Sequence, residues 1–76
     1  MNCRYTIIIQ WSDEDNCYLV YLPEFTDVMQ PTTHGDTYEE AAKHGQEVLG
    51  TLIEIYTEDG KPLPEPKTIG QSFQVA

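Results

Sequence analysis

Hydrophobic positions recur first with a period of two and later with spacings of three and four, and the change of period divides the chain. Residues 5–11 (Y-T-I-I-I-Q-W) are β-branched and aromatic and predict a strand over about residues 4–11. Residues 12–16 (S-D-E-D-N) are turn formers, and residues 17–22 (C-Y-L-V-Y-L) predict the return strand of a hairpin with a five-residue loop. Pro23 closes that strand, because proline cannot donate to the ladder. Residues 27–30 and 32–34, separated by Pro31, predict a third strand over about 27–34 at a sheet edge or bulge.

The period then becomes helical. Thr37-Tyr38-Glu39-Glu40 is a T-x-x-E capping box, in which the Thr37 hydroxyl accepts from the Glu40 N–H and the Glu40 carboxylate reaches back to the Thr37 N–H. Glu39 and Glu40 also suit the positive end of the helix dipole. Tyr38, Ala41, Ala42, Gly45, Val48, Leu49, Leu52, Ile53 and Tyr56 form one buried stripe of a helix over about 38–58. That helix is about 30 Å long and stops at Asp59-Gly60, where glycine can take the left-handed cap. Residues 61–66 (K-P-L-P-E-P) are a stiff extended segment that carries the chain back, and residues 71–76 alternate as a short last strand. The expectation is a single α+β domain over 1–76: a three-stranded antiparallel meander, one long helix on one face, and a short last strand (βββαβ).

A turn centred near Glu14 sets Cys17 opposite Trp11, which sorts the hairpin into two faces. Tyr5, Ile7, Ile9, Trp11, Leu19 and Tyr21 form the more apolar face and are assigned to the helix. Ile8, Tyr18, Val20 and Leu22 then remain on the other face, which predicts self-association as a dimer or tetramer unless the tail folds over them. In the same register Cys3 and Cys17 stand too far apart for a disulfide. Free thiols, no long apolar run and no signal-peptide pattern together suggest a cytoplasmic protein.

Charge narrows the function classes. Thirteen Asp and Glu stand against four Lys and Arg, a formal net charge of −9. Nucleic-acid binding needs clustered cations, so direct contact with DNA or RNA is not expected. An acidic surface favours basic partners, although solubility alone also accounts for it. Catalytic and cofactor patterns are missing. His34 and His44 have no metal-ligand spacing, D-E-D-N lacks the calcium-loop glycine and distal glutamate, and no phosphate loop or nucleophile motif occurs. Asp27, Asp36 and Glu40 are conceivable as a two-metal carboxylate set, but Asp36 and Glu40 already serve the helix start. No enzyme, cofactor, metal or membrane role follows.

The order W-S-D-E-D-N-C-Y, L-P-E-F, H-G-D-T-Y-E-E-A, long helix, D-G-K-P-L-P-E-P resembles the HicB-like antitoxin domain, over about residues 4–66. G-D-T-x-E-E-A (35–41) and P-x-P (62–66) are its most recognisable parts. The resemblance implies a partial RNase H-like βββαβ fold without working nuclease residues. It also implies a partner, a small basic HicA-type ribonuclease toxin whose active site the antitoxin covers. Many members carry a C-terminal DNA-binding segment; this chain ends at Ala76 without one, so direct promoter contact is not expected. Charge and position nominate Asp13, Glu14, Asp15, Glu24 and Asp36 for toxin contact, with Trp11 and Phe25 as anchors. The alternatives are an orphan oligomeric interaction module and a metal-dependent nuclease remnant.

Overall fold

The computed structural model describes residues 4–69. The expected last strand over 71–76, and Cys3, lie outside the described residues. Among the described residues, three strands, β1 (Ile8–Ser12), β2 (Cys17–Tyr21) and β3 (Thr33–Gly35), are followed by one helix, α1 (Tyr38–Glu58). They form an antiparallel sheet in the order β1-β2-β3 with the helix on one face, an α+β layer.

The hairpin register differs from the sequence expectation by one residue. Ser12 belongs to β1 and faces Cys17, so Trp11 pairs with Tyr18 and Ile9 with Val20. The loop therefore holds four residues, 13–16, instead of five. Asn16 takes a left-handed φ of 58° and donates its N–H to the Ser12 carbonyl at 2.8 Å. The Ser12 hydroxyl accepts from the Asp15 N–H at 3.2 Å and donates to the Asp15 carboxylate at 2.9 Å. Asparagine tolerates the left-handed region better than most residues, and this local network fixes the shorter loop.

Because side chains alternate, a one-residue shift turns β2 over relative to β1. Val20 and Leu22, expected on the open face, are 0% exposed and lie beneath the helix. Tyr18, expected beside them, also sits on the helix side, against Tyr38. Leu19 and Tyr21, assigned to the helix, alternate with Val20 and occupy the opposite face. Of the four residues named for self-association, Ile8 is the one on the open face, at 42% exposure.

The third strand is shorter than expected because residues 27–30 do not pair through their backbone. The Gln30 side chain substitutes for a strand there: its carbonyl accepts from the Leu22 N–H at 2.9 Å and its amide donates to the Leu22 carbonyl at 2.8 Å.

Thr37 caps α1, accepting from the Glu40 N–H at 3.0 Å. The Glu40 carboxylate reaches one residue further back than the capping box predicts, to the Asp36 N–H at 2.7 Å. The helix start lies directly on β3: a Cβ on Gly35 would stand 2.4 Å from the Ala41 backbone nitrogen. Further along, Gly45 approaches Val20 and Ile7. Leu22, Phe25, Leu49 and Tyr56 form the buried cluster, with Phe25 between the rings of Tyr5 and Tyr56 at 5.0 and 5.6 Å.

Candidate partner-binding surface

Three aromatic rings from three elements stack at the hairpin end of the molecule. Trp11 on β1 and Tyr18 on β2 are cross-strand partners, their centroids 5.0 Å apart in an edge arrangement of 72°. Tyr38, the first residue of α1, lies over Tyr18 at 4.3 Å. Gly35 is the β3 residue paired with Tyr18, so no β3 side chain competes with Tyr38 for that ring. Trp11 and Tyr38 are 46% and 65% exposed. The indole N–H of Trp11 donates to Asp13 at 2.9 Å, which fixes the ring and uses its single polar group. Sequence periodicity puts Tyr38 in the buried stripe and Tyr18 on the opposite sheet face. Charge and position nominate neither for contact, and the signal that finds them is the corrected hairpin register.

Asp13 is bonded to this stack, whereas Asp15 and Asp36 lie toward Cys17, on the sheet face it shares with Leu19. Asp13, Glu14 and Asp15 occupy the exposed hairpin loop, and Asp36 links β3 to the helix. Asp15 and Asp36 converge near Cys17: burial first, and then these two negative charges, push the Cys17 thiol pKa above its ordinary value. A raised thiol pKa leaves little thiolate, so Cys17 is chemically quiet. Among the described residues the one ion pair is Lys61–Asp27, at the far end of the helix. Asp13, Glu14, Asp15 and Asp36 therefore have no cation against them among the described residues.

Glu24 and Phe25, nominated with the others for contact, are buried, at 5% and 0% exposure. Phe25 fills the core. Glu24 ties the chain together: its carboxylate accepts from the Thr6 N–H at 3.1 Å, the Thr6 hydroxyl at 2.9 Å and the Lys67 N–H at 2.9 Å. Burial alone would raise its pKa, but the bonds from Lys67 and Thr6 outweigh burial and hold it below the ordinary glutamate value. A negative charge after a proline resembles exposed loop chemistry, and hydrogen-bonding demand makes it an interior staple.

Among the described residues, the carboxylates considered as a metal set do not come together. Asp27 sits near the helix C-terminus, bonded to Tyr56 and Lys61, whereas Asp36 and Glu40 lie at the helix start. Twenty-one residues of helix, about 30 Å, separate those ends, so the three carboxylates do not meet. His44 donates from Nδ1 to the His34 carbonyl at 2.7 Å, a structural bond beside β3. Among the described residues no helix is long and apolar enough to cross a membrane.

Residues 4–74 match the family described as HicB-like antitoxin of bacterial toxin–antitoxin systems. The chain belongs to the HicB-like antitoxin family. Two curated relatives from Photorhabdus laumondii subsp. laumondii, Antitoxin HicB 1 and Antitoxin HicB 2, are each 33% identical to it over 72 residues, or 95% of this chain. Those residues are 44% and 48% of the relatives' lengths, so the chain spans under half of each HicB protein. No solved structure matches.

Proposed function

We propose that this chain is an antitoxin that binds and occludes a small basic HicA-type ribonuclease toxin, without catalysing a reaction and without contacting nucleic acid itself. The observation that carries the reading is the half-exposed Trp11–Tyr18–Tyr38 stack with Asp13 bonded to its indole, on a chain of formal net charge −9. Exposed aromatics held in fixed geometry anchor protein interfaces at low entropic cost. Facing carboxylates steer a cationic partner and raise the association rate. A cytoplasmic site of action accords with a free, buried Cys17.

Co-expression with a small basic HicA-type ribonuclease toxin tests the proposal. The two proteins should co-purify, toxin ribonuclease activity should fall, and the association rate should drop steeply with salt. A toxin that remains active with this chain in excess would overturn it.

A second reading, an orphan oligomeric module, is favoured by the open sheet face. Ile8, Gln10, Tyr21, Pro23, Thr26 and Gln30 line a shallow, largely apolar groove there. Ile8 is the one residue of the four named from sequence that this reading retains. Sedimentation at increasing concentration separates the two, since a strict monomer supports only the first.

A further inference from the structure

We propose that the Trp11–Tyr18–Tyr38 stack is a receptor for an arginine side chain of the basic partner, whose guanidinium lies against the exposed rings and hydrogen-bonds the second carboxylate oxygen of Asp13. The proposal rests on the reading that this surface meets a cationic protein, and it names the group that is recognised.

Three observations specify a cation. The exposed Trp11 ring stands beside the Asp13 carboxylate, so an apolar anchor on the indole would bring that charge against its own surface without compensation. The Trp11 N–H is already given to Asp13, so the exposed remainder of the indole is π surface with no donor to offer. That bond, from an indole N–H to a charged acceptor, also adds electron density to the ring, which strengthens its attraction for a cation on its face. Among the described residues no Lys or Arg of the chain itself pairs with Asp13 or Asp36, and the Lys61 ammonium is spent on Asp27 and the Tyr56 ring.

Arginine fits this site better than lysine. Its planar guanidinium stacks on a ring and still directs N–H groups sideways toward a carboxylate, whereas an ammonium is a more strongly hydrated point charge. Asp13 offers that carboxylate beside the indole, with one oxygen held by Trp11. Tyr38, at 65% exposure, supplies the most exposed ring of the three.

The chain contains a single tryptophan, so Trp11 emission reports on this site alone. Two capped peptides of equal length and charge serve as probes, one alternating glycine with arginine and the other glycine with lysine. The arginine peptide should shift Trp11 emission and bind about tenfold more tightly than the lysine peptide. Tyr38→Ala and Asp13→Asn should each reduce that preference to about twofold or less, while Tyr38→Phe, which keeps the ring, should retain it. Asp13→Asn leaves an oxygen for the Trp11 N–H, and circular dichroism checks that the Tyr38→Ala helix stays folded. Equal affinity for the two peptides, or a preference that survives Tyr38→Ala, overturns the proposal. Toxin captured by a chain without arginine preference defeats this inference and leaves the antitoxin reading standing. Arginine preference in a chain that binds no toxin does the reverse.

Discussion

Glu24 accepts the backbone N–H of Lys67 at 2.9 Å across 43 positions of sequence. The same carboxylate holds the Thr6 N–H and hydroxyl, so one buried side chain joins the entry to β1, the loop after β2 and the segment that follows α1. Glu24→Ala leaves two backbone donors without this acceptor. It should lower the free energy of unfolding by about 3 kcal/mol in urea titration at neutral pH. Thr6→Val, which removes only the hydroxyl bond, should cost about 1 kcal/mol. A Glu24→Ala chain as stable as the parent would show that the staple is not formed in solution.

Acid should loosen the same end of the molecule in a defined order. Asp27 is held at a pKa of about 2, first by the Lys61 ammonium and then by the Tyr56 hydroxyl. A folded value below the ordinary 3.8 means that the unfolded chain binds the proton more readily. The stabilisation from Asp27 is therefore complete above about pH 4 and is lost as pH falls through about 2. Glu24, also lowered, contributes with the same sign, its share present above the ordinary glutamate range and lost in acid. Carboxyl carbon shifts followed by NMR from pH 6 downward should show Asp27 titrating last. Asp27→Asn should flatten the lower part of the stability profile and leave the Glu24 part unchanged.

Glycine substitutions read the closeness of helix and sheet. A Cβ at Gly35 would fall 2.4 Å from the Ala41 nitrogen and 2.7 Å from its Cα, both backbone atoms that cannot step aside. Gly35→Ala should therefore cost several kcal/mol, on the order of 3, and displace the helix start with Tyr38 on it. At Gly50 a Cβ would meet nothing within 4 Å, so Gly50→Ala should gain about 1 kcal/mol of helix propensity. Thermal unfolding of the two variants in parallel measures the contrast, and similar melting temperatures would contradict the packing described.

Much of this fold was legible because local chemistry and tertiary structure agree. The helix over Tyr38–Glu58 follows from the Thr37 cap, the acidic first turn and the stripe through Ala41, Gly45, Leu49 and Tyr56. The hairpin follows from two β-rich runs around a polar turn, but its register depends on one residue. Nothing in the alternation of residues 5–11 and 17–22 decides whether Ser12 ends the strand or begins the loop. The Asn16 conformation and the Ser12–Asp15 bonds decide it, and with it the face of every β2 side chain. Charge alone nominates Asp13, Glu14, Asp15 and Asp36, and of these Asp13 is bonded to the aromatic stack. Tyr18 and Tyr38 were not, because their stacking requires the corrected register and a glycine at position 35. Glu24 and Phe25 were misplaced for a different reason: composition does not reveal that the loop after Pro23 turns inward.

Gln30 provides the last test, since its side chain takes the place of a strand. Its amide accepts from the Leu22 N–H and donates to the carbonyls of Leu22 and Phe25, at 2.8 to 3.1 Å, where β3 backbone does not reach. Leu22 is itself fully buried, so its backbone groups have little access to water. Gln30→Leu has similar bulk but neither donor nor acceptor, and should cost about 2–3 kcal/mol. Gln30→Glu keeps the acceptor for the Leu22 N–H yet faces two carbonyls with a carboxylate. It should be destabilised at neutral pH and partly recover when protonated, a dependence opposite in sign to that of Asp27. Amide exchange at Leu22 locates the effect: protection there should fall in both variants while the Ile9–Val20 pairing between β1 and β2 keeps its protection. Unchanged exchange at Leu22 would mean that the Gln30 amide is not the partner that closes this end of the sheet.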